Sequence, residues 1–278
     1  MKKFKYTWLS FILPILFLLF WHGMSIKVAN PLALPTIGGV LDLLLHPTES
    51  VIGVGSILKN TYISLLRVAC GYLFAVLLAL PLGIIIGLNS FNERLLLPFL
   101  SFFRSVPPLA WVPLVLAWFG IASLASVLHL KVGQTGYLIL NNMRISMIII
   151  IFLGAFFPVL SNVIFGIRNV RKTLIDAARS MGANTCQMII KILLPAALPA
   201  VFTGLQVGLG TAWMCLICAE MLPGSISGIG YMISHAYQVT RIDVVIAGIV
   251  AISIVSTIID GLFTKINRKA FKWQSQSK

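Results

Sequence analysis

The chain has 278 residues and carries 21 Lys and Arg against 7 Asp and Glu, a formal charge of +14. It is 59% hydrophobic and 10% charged, with a mean hydropathy of +0.99, where a soluble domain has roughly 25% charged and roughly 45–50% apolar residues. That excludes a water-soluble globule, a disordered chain and, with four Cys, a disulfide scaffold; a helical membrane protein remains, each crossing of which takes roughly 20 residues.

The first apolar run, Trp8 to Met24, follows a basic start with Lys2, Lys3 and Lys5. No small-x-small cleavage site comes after it, so it reads as a retained anchor helix rather than a signal peptide. Residues 26–60 hold Asn30-Pro31, Leu34-Pro35 and His46-Pro47, a loop with a short interfacial helix over Ile37–Leu45. The second run is charge-free from Val68 to Asn92. The third, Leu95 to Gly120, contains Arg104 and the breakers Pro107, Pro108 and Pro113. Ile121–Leu130 is short for a span and is broken by Val132-Gly-Gln-Thr-Gly136, so residues 121–144 read as an external excursion. The fourth run is Ile145 to Ile167, the fifth Ile192 to Ala219 with Pro195 and Pro199, the sixth Val244 to Ile259. Six crossings place both termini on one side.

The charges orient that arrangement. Fifteen basic residues fall at the two termini, in the second-to-third connection (with Arg104) and in the fourth-to-fifth connection; six fall on the other side or at span ends near it. The asymmetry puts both ends in the cytoplasm. It also accounts for the basic excess without a nucleic-acid partner.

The fourth-to-fifth connection, residues 168–199, has its own pattern. Thr173-Leu-Ile-Asp176 has capping-box spacing and predicts a short helix from near Thr173. Leu174, Ala178 and Met181 share a face. Gly182 supplies a stop. Asn184-Thr-Cys-Gln187 caps a second helix, which Pro195 is expected to end. A rigid helix–corner–helix facing the cytoplasm suits either docking on another protein or lying on the membrane interface.

Other residues carry weaker signals. Gly83-x-x-x-Gly87 and Gly204-x-x-x-Gly208 suit close helix packing. Cys215 and Cys218 have metal-like spacing but lie in an apolar run with no His or further Cys pair near, which reads as buried thiols and no metal site. Glu220 either caps the Pro223–Gly230 turn or serves the substrate path. Arg104 either snorkels to the cytoplasm or faces the cavity. Arg241 and Asp243 form a helix-start cluster, and Asp260 is expected to pair with Lys265. The four His share no ligand spacing.

Asp176-Ala177-Ala178, then Gly182, then Ile192, Leu194 and Pro195 resembles the EAA motif of ABC-transporter permeases, with Asp in place of Glu. Arg104-Ser-Val-Pro-Pro-Leu-Ala-Trp-Val-Pro113, Trp118-Phe-Gly120, Gly154-Ala-Phe-Phe-Pro158, Ala219-Glu220-Met221-Leu222 and Gly228-Ile-Gly230 resemble the nitrate/sulfonate/taurine-type branch in the same order. The stretch Ile121–Ile151 is longer than that family's pattern. The resemblance implies an all-α integral membrane protein of about six transmembrane helices in the MetI-like permease fold, with a cytoplasmic coupling-helix pair. Residues 1–278 are then one permease domain: an anchor span and external loop (1–59), a core (60–270), a coupling segment (168–199) and an extra external segment (121–144).

The resemblance further implies a multi-pass cell-membrane subunit of an ATP-driven importer. Its partners are separate cytoplasmic ATPase subunits that hydrolyse the ATP, an external substrate-binding protein, a second permease chain (a homodimer) and membrane lipid. The substrate is a small solute, an anion such as a sulfonate, nitrate, taurine or bicarbonate. Asp176, Ala177, Ala178, Gly182, Ile192, Leu194 and Pro195 would couple to the ATPase; Arg104, Pro107, Pro108 and Glu220 are translocation-path candidates. No catalytic residue and no bound cofactor is expected: the chain holds no G-x-x-x-x-G-K-[ST] and is not itself the enzyme. A secondary transporter would show matching halves with broken helices, and an intramembrane enzyme clustered nucleophile, base or metal ligands; neither pattern is present in the sequence.

Overall fold

The computed structural model describes residues 9–28, 30–134 and 136–271. Lys2, Lys3, Lys5, Lys272 and Lys278, which enter the charge asymmetry, lie outside them. The helices are, in chain order, α1 (Leu9–Val28), α2 (Ile37–Leu45), α3 (Ile57–Leu88), α4 (Ser90–Ser105), α5 (Val112–Phe119), α6 (Leu124–Val127), α7 (Tyr137–Asn142), α8 (Ile145–Arg168), α9 (Lys172–Ser180), α10 (Thr185–Met188), α11 (Leu194–Glu220), α12 (Ile229–Gln238) and α13 (Ile242–Ala270). A 3-10 turn at Pro108–Trp111 precedes α5, and a π turn at Ile189–Leu193 joins α10 to α11.

Among the described residues, four helices are long and apolar enough to cross a membrane: α3, α8, the unbroken stretch Thr185–Glu220 and α13. α4 and α5 form a fifth candidate, bent by 82° at the Pro107-Pro108 break. α1 is a shorter apolar helix. Each of the six apolar runs is thus mainly helical over its described residues, the second interrupted at Asn89 and the third at Val106-Pro107.

The fold is built around α8. Its residues Ile151, Ala155, Val159 and Val163, spaced by four, are all fully buried, one stripe of a helix whose neighbours cover it. α3 and α11 approach it on glycines. A Cβ at Gly83 would sit 2.7 Å from Val163, and one at Gly208 2.7 Å from Val159. Both G-x-x-x-G pairs thus serve packing within the chain. A second cluster joins α2, α12 and α13 through Val40, Ile229, Met232, Ala236, Val244 and Ala247.

α1 stands apart. Trp21 Nε1 donates to Pro35 O (3.1 Å) and Ser25 Oγ to Leu34 O (3.3 Å). The side chains from Ile12 to Phe20 are exposed all round, as expected of a helix whose solvent is lipid.

Residues 121–144 leave and return at one point. Leu124 N donates to Met143 O (2.9 Å), Ile145 N to Ala122 O (3.1 Å) and Arg144 Nη1 to Ile121 O (2.7 Å). The segment is a pinched excursion beside the end of α5 and the start of α8, and its described residues hold only the short helices α6 and α7. Arg241 and Asp243 pair at the start of α13, Nη2 to Oδ2 2.7 Å. The expected Asp260–Lys265 pair is not formed among the described residues: five residues along a helix is about 500° of turn, which leaves the two side chains well apart around the axis.

Candidate functional site

Three features could carry function, and they lie at different levels of the bundle.

The first is the coupling segment at the α9 end. α9 begins at Lys172 with Arg171 as its uncapped N-cap, one residue before the Thr173 start that capping-box spacing predicts. Thr173 lies inside the first turn, so its hydroxyl cannot cap. Gly182 is the corner: its φ is +79°, and Ala183 N reaches back to Ala178 O (3.0 Å) and Gly182 N to Arg179 O (2.9 Å), closing α9 as a left-handed C-terminal turn does. Asn184 and Gln187 form the expected capping box, Gln187 N to Asn184 Oδ1 2.8 Å and Asn184 N to Gln187 Oε1 3.1 Å. Ala178 packs with Val170, Met188 and Leu193. Leu174 and Met181, expected to share a face with Ala178, are exposed, Met181 at 82%. Asp176 and Ala177 are both exposed, and Ile175 is half-buried.

Pro195 does not end the second helix. The backbone widens into the π turn over Ile189–Leu193, and Leu194 N donates to Ile189 O five residues back. Pro195 follows that π turn, and the widened backbone accommodates its ring and missing N–H. The widened turn lets one continuous helix run from the corner to Glu220.

The second feature is a cavity of about 540 Å³ between α4, α8 and α11. Arg104, Pro107 and Pro108 line it, as do Phe157, Ser161, Asn162, Thr211 and Met214. Arg104 Nη1 donates to Ser161 Oγ at 3.1 Å, so this guanidinium faces the cavity. The wall is otherwise mostly apolar, and among the described residues Arg104 is the cationic group on it. Ser161, Asn162 and Thr211 carry no distinguishing mark in the sequence.

The third feature is Glu220, which does not line that cavity. It sits at the α12 end in a fully buried node with Arg67. Arg67 Nη1 donates to Glu220 Oε1 at 2.6 Å and to Ser227 O at 2.7 Å, its Nη2 to Ser227 Oγ at 2.8 Å, and its Nε to Asn142 O at 2.8 Å. Ser64 Oγ donates to the carboxylate at 2.9 Å, and Gly230 N donates to Oε2 at 3.0 Å. Glu220 therefore caps the start of α12, where a carboxylate also meets the positive end of the helix dipole. Gly228 (φ +110°) and Gly230 leave the space: a Cβ on Gly228 would collide with the carboxylate, and one on Gly230 would lie 2.5 Å from Ile217 O. Asn60 completes the node by accepting from Gly228 N at 2.9 Å. Asn60, Ser64 and Arg67 recur at helical spacing on one face of α3, the sequence signal by which the node could be found.

Together these features define a polytopic helical membrane protein with an amphipathic corner at one end and a cavity that carries a cation between span-length helices. Residues 79–272 match the family described as "Binding-protein-dependent transport system inner membrane component". The chain belongs to that family. A protein of Methanocaldococcus jannaschii named as an ABC transporter permease is 40% identical over 97% of this chain and 93% of its own length. The taurine transport system permease protein TauC of Escherichia coli is 32% identical over 95% of this chain and 88% of its own. Among solved structures, an inward-facing form of the MetNI methionine ABC transporter aligns with TM-score 0.61 and 20% identity, covering 77% of this chain and 95% of that one, which is a likeness of fold. The protein is a multi-pass ABC importer permease.

Proposed function

We propose that the chain forms the translocation path for a small organic or inorganic anion and is driven by a separate ATPase subunit held against α9 and α10. The observation that carries this is mechanical continuity. One unbroken helix runs from the capped start of α10 at Thr185 to Glu220, and its upper half supplies Val207, Thr211 and Met214 to the Arg104 cavity. A push on the corner at Gly182 is thereby delivered to the cavity wall. Asp176 offers a charge to the ATPase, Ala177 and exposed Leu174 and Met181 an apolar surface, and Ile192, Leu194 and Pro195 seat the second helix at the base of α11.

The distribution of Lys and Arg supports placing the α9 end and both termini in the cytoplasm. The α12 end then faces the external binding protein, and a second copy of this chain completes the transporter. Arg104 with Ser161 supports an anion as cargo: a guanidinium and a hydroxyl together recognise sulfonate or carboxylate oxygens. The chain hydrolyses nothing itself; ATP is the partner subunit's substrate.

The test is reconstitution of the complete transporter in liposomes with its ATPase subunit and binding protein. Labelled taurine, methanesulfonate and bicarbonate are offered singly. Uptake of at least one of them that requires both ATP and the binding protein is the expected result. Uptake indifferent to ATP, or a purified chain that fails to retain the ATPase subunit, overturns the reading.

A further inference from the structure

The Arg104 cavity stops abruptly toward the α12 end, and what stops it is a single layer of side chains. Val112, Met147, Ile150, Cys215 and Ala219 form one buried apolar cluster, with Leu116 packed against it. Each of three helices contributes one turn: Val112 and Leu116 from α5, Met147 and Ile150 from α8, Cys215 and Ala219 from α11. Cys215 also belongs to the cavity wall. On the far side of the layer is a small pocket of about 10 Å³ bounded by Gly120, Arg144, Ser146, Pro223 and Gly224. The seam between α5, α8 and α11 thus runs from a cavity with a cation, through an apolar layer about 5 Å thick, to a second pocket with a cation. An anion entering the layer would lose its hydration with nothing polar to replace it, so the closed layer is a barrier.

The three walls are not held equally. α8 and α11 are joined by interdigitated small residues and by a hydrogen bond. A Cβ on Gly154 would lie 2.8 Å from Cys215 Sγ, one on Gly204 2.5 Å from Asn162, and Thr211 Oγ1 donates to Gly154 O at 2.8 Å. The far end of α11 is anchored again by Glu220 to Arg67 of α3. α5 has none of this. It is eight residues long, Val-Pro-Leu-Val-Leu-Ala-Trp-Phe, and its one polar side-chain atom is on Trp118, which is 68% exposed. It meets α8 through apolar contact. At one end it joins α4 through the 82° break at Pro107-Pro108; at the other it ends on Gly120 with φ +53°, past which Ile121 O and Ala122 O accept from Arg144 and Ile145 at the start of α8. An element held by apolar contact between two backbone joints is the one that opens first.

We propose that α5 is the moving leaf of the barrier: Val112 and Leu116 seal the seam against a fixed frame of Met147, Ile150, Cys215 and Ala219, and α5 opens it by rolling between its two ends, the Pro107-Pro108 break and the Ile121–Ala122 anchor on α8. Arg104 lies three residues before that joint, on the arm that bears the leaf, so an anion held at Arg104 acts on the joint itself. This rests on reading the Arg104 cavity as the path, and the two are tested separately.

The experiment uses the full transporter in liposomes, in a background with Cys70→Ala, Cys186→Ser and Cys218→Ala. Val112→Cys places a thiol in the same buried cluster as the native Cys215. Oxidation with copper phenanthroline is expected to join the two and lower uptake at least about tenfold, with recovery in dithiothreitol. A cross-link that forms and leaves uptake unchanged overturns the leaf, and so does failure of the two thiols to join. A second variant, Val112→Gly with Leu116→Ala, is expected to raise ATP-independent leak of the transported anion at least about tenfold; unchanged leak overturns the barrier. The path reading is tested by Ser161→Cys in a background that also carries Cys215→Ala, using a small charged methanethiosulfonate. Block of uptake supports the path; unaltered uptake removes the path while the cross-linking result still reports on α5.

Discussion

Glu220 and Arg67 are 153 residues apart, and neither is legible as a partner of the other in the sequence. Each sits at the end of an apolar run, where a charge is ordinary. Only the fold brings α3 beside the end of α11, and only there does the carboxylate find Ser64, Arg67 and Gly230 N together. Both side chains are fully buried, so losing one leaves the other uncompensated. Arg67→Met or Glu220→Leu alone is expected to destabilise the chain by ~3–5 kcal/mol. The double variant is expected to cost less than the sum, because the unpaired charge is gone. Thermal unfolding of the purified transporter reads both; strictly additive losses would remove the coupling. Arg104 is easier to place, since a charge ten residues into an apolar run must face something polar. Arg104→Gln is expected to lower anion uptake by about tenfold or more, with Arg104→Lys restoring part of it, because charge survives while the planar fork does not. Equal uptake by wild type and Arg104→Gln would detach this residue from the cargo.

Among the elements, the corner between α9 and α10 is legible in its letters at the centre and not at its ends. Gly182 as the stop and Asn184 with Gln187 as the cap follow from local chemistry, which spacing reports faithfully. The start of α9 and the fate of Pro195 depend on more distant backbone: a π turn absorbs the proline, and no local rule announces it. A Cβ added at Gly182 would meet open space, so any penalty for substitution comes from the backbone at φ +79°. Gly182→Val is expected to strain the corner by about 1–3 kcal/mol and to uncouple ATP hydrolysis from uptake, with Gly182→Asn much milder because Asn tolerates that region. The readout is ATPase stimulation by loaded binding protein beside anion uptake; unchanged coupling in Gly182→Val would sink the idea. The glycines of α3 and α11 act by size instead. Gly83→Leu or Gly208→Val drives a side chain into α8 and is expected to cost about 1–3 kcal/mol, seen as a lower unfolding temperature of the assembled transporter.

The whole molecule is legible where it depends on solvent and charge. Apolar runs of span length and the uneven placement of Lys and Arg are consequences of the bilayer, and they need no knowledge of which helix touches which. The centrality of α8, the isolation of α1 and the pinched neck of residues 121–144 are consequences of packing, and composition does not encode them. Orientation can be tested with a thiol the protein already has. Cys186 lies in α10 and is exposed, next to the corner assigned to the ATPase. A membrane-impermeant maleimide is expected to modify Cys186 in inside-out vesicles and to leave it unmodified in intact cells, with the bound ATPase subunit slowing the reaction. Labelling of Cys186 from outside intact cells would invert the topology, and with it the direction in which a push at Gly182 could travel to the Arg104 cavity and the α5 barrier beyond it.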